Sequence, residues 1–144
     1  MPKKNFLDEY SEKRKKRLGE LIKQTRGELS LRKITEHSSL SASNLQYIEQ
    51  GVNAPTAETY ELLIKRLHPD TEIRAEMDEC YMAIRKIPPP DVCKTVMNTS
   101  GFVDALREFD GQPITDSQVK KLQSLLLSFA ETNRKEKANY AEDL

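Results

Sequence analysis

Apolar residues recur at three- and four-residue spacing along most of this chain, and that period fixes the class of structure it can form. Tyr60, Leu63, Ile64 and Leu67 give the cleanest stripe. Sustained alternation is absent, and there is no hairpin built on Asn-Gly or Asp-Gly. The expectation is an all-α protein. With 144 residues, 32% charged and 37% hydrophobic, the chain has material for one domain or two small ones, and its periodic apolar residues argue against wholesale disorder.

Punctuation divides the stripes. The spacing predicts a first helix over 7–26, with Tyr10, Leu18, Leu21, Ile22 and Thr25 on the inward face and Gly27 closing it. Ser30 caps a short helix over 31–37 with Ile34 and Thr35 inward. Ser41 caps another over 42–50, with Leu45 and Ile48 inward and Gly51 at its end, where a positive φ is cheapest. The loop VNAPT follows, then helices over 56–67 and 71–86. Pro88, Pro89 and Pro90 read as a stiff, extended spacer. Helical stretches over 91–97 and 102–109 come next. Thr115 and Gln118 form a capping box that opens a last helix over 116–137, with its polar tail expected to fray beyond Thr132.

Composition excludes several functions. No apolar run reaches the roughly 18 residues a membrane helix needs, so no membrane association is expected. The segment MPKKNFLDEYSEKRKKR lacks an apolar signal core, and the expected location is the cytoplasm, with the nucleoid. Cys80 and Cys93 read as reduced thiols. His37 and His68 lie far from both, so no metal site is legible and no cofactor is expected. There is no Gly-rich phosphate loop, no nucleophile elbow and no acid–base arrangement around either histidine, so no enzyme is expected. The zero net charge hides an asymmetry. Residues 1–68 carry 13 Lys/Arg against 9 Asp/Glu, and residues 69–144 carry 10 against 14. A basic half joined to an acidic half suggests a polyanion-binding module beside something else. The run KRKKR at 13–17 reads either as a solvated helix face or as a phosphate patch.

The informative stretch is LSLRKITEHSSLSASNLQYIEQGVNAPT, from Leu29 to Thr56. Two short helices are joined by a tight turn. The second buries only Leu45 and Ile48, and otherwise carries Ala42, Ser43, Asn44, Gln46 and Tyr47, which are small or uncharged. Such a helix fits the major groove, where base edges present distinct donor and acceptor patterns.

This stretch resembles the helix-turn-helix of phage Cro and lambda-type repressors, the XRE family. The matching residues are LGELIKQTR at 18–26, LS at 29–30 and 40–41, IEQG at 48–51, and NAP at 53–55. The resemblance covers about Leu18–Leu67. It implies an N-terminal five-helix lambda-repressor-like domain, placed at 1–69, in which Ser41 heads the recognition helix. It also implies that Ala42, Ser43 and Tyr47 face bases, that Asn44 and Gln50 meet the backbone, and that Asn53 approaches phosphates or flanking bases. Gln46 adds a further base contact, and Arg32 and Lys33 stand in for a phosphate contact that the family often makes from position 31, which is Leu here. Position 39, commonly Gly in the family's turn, is Ser. Glu49 falls where the family is usually structural. The family is common in bacteria, phages and mobile elements.

Readers of this fold usually bind as dimers on half-sites about one DNA turn apart. Residues 70–144 are expected to form a small helical dimerisation region, with Leu106, Phe109, Val119, Leu122, Leu125, Leu126 and Phe129 at its interface. The expected partners are double-stranded DNA with a palindromic operator and a second copy of the chain. An alternative is an antitoxin-like or antagonist-controlled adaptor, whose C-terminal helices bind an antirepressor or a toxin. Within one subunit, the same stripe has helix 71–86 as its other possible partner.

Overall fold

The computed structural model describes residues 6–142, and among them every regular element is a helix. The extreme N-terminal residues 1–5, part of the segment read for a signal core, lie outside the described residues. The elements are α1 (Phe6–Arg26), α2 (Leu31–Thr35), α3 (Ala42–Glu49), α4 (Ala57–Leu67), α5 (Thr71–Arg85), α6 (Pro90–Asn98), α7 (Phe102–Arg107) and α8 (Asp116–Glu142). No helix among the described residues is long and apolar enough to cross a membrane.

The chain separates into two compact units that divide between Thr99 and Ser100. The first gathers one core from α1 to α5. Leu18, Leu21 and Ile22 of α1 meet Ile34, Leu40, Leu45, Ile48, Tyr60, Leu63, Met77, Cys80 and Tyr81, all buried. The inward stripes expected on α1, α3 and α4 therefore hold, with one exception. Tyr10 is 36% exposed and lies beneath the Arg14 guanidinium, 4.9 Å from its ring centre. It lies two turns before Leu18, where α1 runs past the core.

Caps set the helix starts. Ser30 Oγ accepts from Lys33 N at 3.1 Å, Ser41 Oγ from Asn44 N at 3.0 Å, Thr56 Oγ1 from Thr59 N at 3.2 Å and Asp70 Oδ1 from Ile73 N at 2.9 Å. α2 ends two residues before the sequence suggested. Its last carbonyls are taken by side chains: Arg66 Nη1 donates to Ile34 O at 2.8 Å and to Glu36 O, and Ser38 Oγ donates to Thr35 O at 2.6 Å. The left-handed residue of the α2–α3 turn is His37, at φ 54°, not Ser39. His68 (φ 48°) and Lys86 (φ 61°) end α4 and α5 in the same conformation.

Helices α5 and α6, assigned from sequence to the second half, lie in the first unit. α5 packs along α1 and α6 against α4. Arg17 grips Glu76 through Nε (2.6 Å) and Nη2 (3.0 Å), and Arg14 reaches Glu79 at 3.3 Å. Two cations of KRKKR thus face acidic α5, and the Arg17 guanidinium holds the Glu76 carboxyl below the usual range. Tyr60 of α4 stacks on Tyr81 of α5 at 4.3 Å, and its hydroxyl donates to Asp78 at 2.5 Å. Burial, then the Asp78 carboxylate, pushes the Tyr60 phenol well up. The charge split softens accordingly: residues 1–99 hold 17 Lys/Arg against 15 Asp/Glu, and residues 100–144 hold 6 against 8.

The proline spacer is shorter than three residues. Pro90 opens α6 and Pro89 caps it, because a fixed φ and a missing N–H suit the first turn of a helix. In the second unit, the capping box forms as expected, with Thr115 N donating to Gln118 Oε1 at 3.0 Å and Gln118 N to Thr115 Oγ1 at 3.2 Å. α8 continues to Glu142, past the point where fraying was expected.

Candidate nucleic-acid interface

α3 is seated by backbone contact as much as by side chains. Leu45 and Ile48 are fully buried. Behind them, Gly19 lets α1 press directly on the end of α3. A Cβ at Gly19 would fall 2.5 Å from Ile48 O and nearer still to Glu49 O. Gly51, at φ 75°, ends the helix so tightly against α1 that a Cβ there would meet Lys16 at 2.8 Å. Arg26 completes the seat. Its Nε and Nη2 donate to the two Glu49 carboxylate oxygens at 2.6 and 3.1 Å, with the Glu49 side chain only 5% exposed. Glu49 is therefore an anchor, as the resemblance implied.

What remains outward is one stripe. Ser43, Gln46, Tyr47 and Gln50 are exposed at i, i+3, i+4 and i+7, with Tyr47 at 50%. Ser41 is exposed at the helix head, and Ala42 and Asn44 are half-buried at its edge. The stripe has hydroxyl, amide and phenol groups and no charge, since Glu49 is the only charged side chain of α3 and is spent on Arg26. Groups of this kind present mixed donors and acceptors, the chemistry needed to match base edges. Arg32 and Lys33 are exposed on α2, and Lys33 lies 3.4 Å from Glu36.

Two candidate residues meet each other. Asn53 Nδ2 donates to Asn44 Oδ1 at 3.0 Å, which ties the loop side chain to the edge of α3. The loop carrying Asn53 folds back on α3, where the Tyr47 carbonyl accepts Val52 N at 2.9 Å and Asn53 N at 3.3 Å. Arg85 of α5 holds the far side of that loop, donating to Pro55 O and Ala54 O, each at 2.9 Å. Neither Arg85 nor Gly19 stood out in the sequence. Arg85 is 30 residues from Pro55 along the chain, and no local pattern links them.

The residues expected at a dimer interface are all exposed: Leu106 49%, Phe109 39%, Val119 40%, Leu122 45%, Leu125 52%, Leu126 56% and Phe129 57%. In the second unit, no described side chain is buried, and Phe102 and Ala130 alone are half-buried. Among the described residues, no cluster of three or more His, Cys, Asp or Glu is placed to hold a metal ion. In comparisons with known proteins, no family model, no curated protein and no solved structure matches the chain.

Proposed function

We propose that the chain is a sequence-specific DNA-binding transcriptional regulator, a homodimeric repressor that reads the major groove with α3. One observation carries the reading: an exposed, uncharged stripe of Ser43, Gln46, Tyr47 and Gln50 on a short helix that is rigidly seated on its opposite face. A solvated helix face usually carries charge, whereas a base-reading face carries hydrogen-bonding groups held in place. In this reading α1–α5 form the five-helix arrangement that the XRE resemblance implies. Arg32 and Lys33 of α2 supply phosphate contacts, and Asn44 with Asn53 reads the rim of the half-site.

α3 has no arginine for a bidentate guanine contact, so discrimination rests on Gln46, Tyr47, Asn44 and the shape of the DNA. The homodimer rests on the second unit. Helices with no buried side chain gain stability only when their apolar faces are covered. A second copy offers the same face and forms a closed two-fold assembly, which sets two α3 helices on a palindromic operator.

The test is selection of bound sequences from random DNA by the full-length protein at near-physiological salt. An inverted repeat is expected, with affinity falling steeply as salt rises because phosphate contacts release counterions. Tyr47→Ala and Asn44→Ala should each cut discrimination between that operator and random DNA about tenfold. Full specificity in both variants would remove α3 from the interface. A chain truncated after Thr99 should stay folded, sediment as a monomer, and bind the operator at least about tenfold more weakly. If the truncated chain still dimerises, the interface lies in the first unit. A full-length monomer that co-purifies with another polypeptide would favour the adaptor reading.

A further inference from the structure

Arg85 reaches from the last turn of α5 to the loop that follows α3. Its Nε and Nη2 donate to two consecutive carbonyls, Pro55 O and Ala54 O, both at 2.9 Å. A guanidinium holds its donors in a rigid fork, so two such bonds fix the tilt of the peptide between them as well as its position. The other end of the loop is fixed from α3, through the Tyr47 carbonyl and the N–H groups of Val52 and Asn53. Asn53 lies between these anchors, and its side chain is aimed by the bond to Asn44. Directly after Arg85, Lys86 turns left-handed and the chain leaves α5 for the prolines before α6.

We propose that Arg85 is a positioning residue for DNA readout, setting where Asn53 meets the outer edge of each half-site. The inference rests on the DNA-reading function proposed above and adds a residue outside the reading helix and its loop. The Nε and Nη2 donors of Arg85 go to carbonyls rather than to phosphate. Its contribution is therefore to specificity at a few base positions rather than to overall affinity. A lysine keeps the charge but has no fork, and a methionine keeps much of the apolar stem and has no donor.

The experiment uses the full-length protein, the selected operator and a set of single-base operator variants, at several salt concentrations. Arg85→Lys and Arg85→Met should each lose about five- to tenfold in discrimination at the base positions where Asn53→Ala also loses it. Positions sensitive to Tyr47→Ala should be unaffected, and adding Arg85→Lys to Asn53→Ala should cost nothing more. The slope of affinity against salt should be that of the wild type in both Arg85 variants. Unchanged discrimination in Arg85→Lys and Arg85→Met overturns the inference and leaves the DNA-reading function standing. A uniform loss of affinity with a shallower salt slope in Arg85→Met also overturns it, by giving the guanidinium a phosphate. A wild-type protein with no sequence preference overturns the DNA-reading function itself, and this inference with it.

Discussion

Gly19→Ala should destabilise the first unit by about 3 kcal/mol, although alanine is the better helix former by about 1 kcal/mol. Gly19 lies inside α1 and has no positive φ to excuse it. Its role is the close approach of two backbones. The new methyl would sit 2.5 Å from Ile48 O and 2.8 Å from Glu49 C, and neither atom belongs to a side chain that can rotate away. α3 would have to lift, taking Leu45 and Ile48 out of the core. For a unit of about 100 residues, such a loss lowers the melting temperature by about 12 °C or more, readable by circular dichroism. Gly27→Ala is the control. Gly27 has φ 56° but its nearest neighbour is 3.9 Å from the added Cβ, so it should cost only about 1 kcal/mol of backbone strain. A Gly19→Ala protein that melts higher than wild type would mean that α1 and α3 do not touch in this way.

That pair of glycines shows which parts of the structure can be read from sequence. Gly27, Ser30, Ser41, Thr115 and Gln118 act within a few residues of themselves, so their signals are local and the helix ends follow from them. The inward stripes are legible for the same reason, since the helical period alone sets them. Pairings between distant segments are not. Nothing near Arg66 indicates that it closes α2, 32 residues earlier, through Ile34 O. Nothing near Glu76 and Glu79 indicates that they partner Arg17 and Arg14. Charge and the resemblance set residues 70–144 apart as a second half, but Arg14 and Arg17 pair with Glu79 and Glu76 and tie α5 to α1. The outward stripe of α3 was legible because it is a local pattern on one helix. The devices that hold it still, Gly19, Arg26 with Glu49, and Arg85, span 23 to 31 residues or depend on backbone proximity.

Arg26→Met should cost about 3–5 kcal/mol, the larger of the two stability losses expected here. The reason is the asymmetry of a buried ion pair. Forming it gains little over two apolar groups, because both charges are desolvated. Removing one partner leaves the other charge without compensation. The Glu49 side chain is 5% exposed and that of Arg26 15%, so water cannot replace the guanidinium at the carboxylate without opening the seat of α3. Arg26 also donates to Leu29 O at 2.6 Å, so the variant loosens the turn into α2 as well. The double variant Arg26→Met with Glu49→Leu should recover most of the loss, since it removes the stranded charge and restores apolar contact. Urea unfolding of the two single variants and the double variant measures this directly. If Arg26→Met costs less than about 1 kcal/mol, the pair behaves as an ordinary surface ion pair. The rigidity of α3 would then rest on Gly19 and the core alone. If the double variant regains stability but not operator discrimination, the ion pair is kept for the orientation of α3 and not for the strength of the fold.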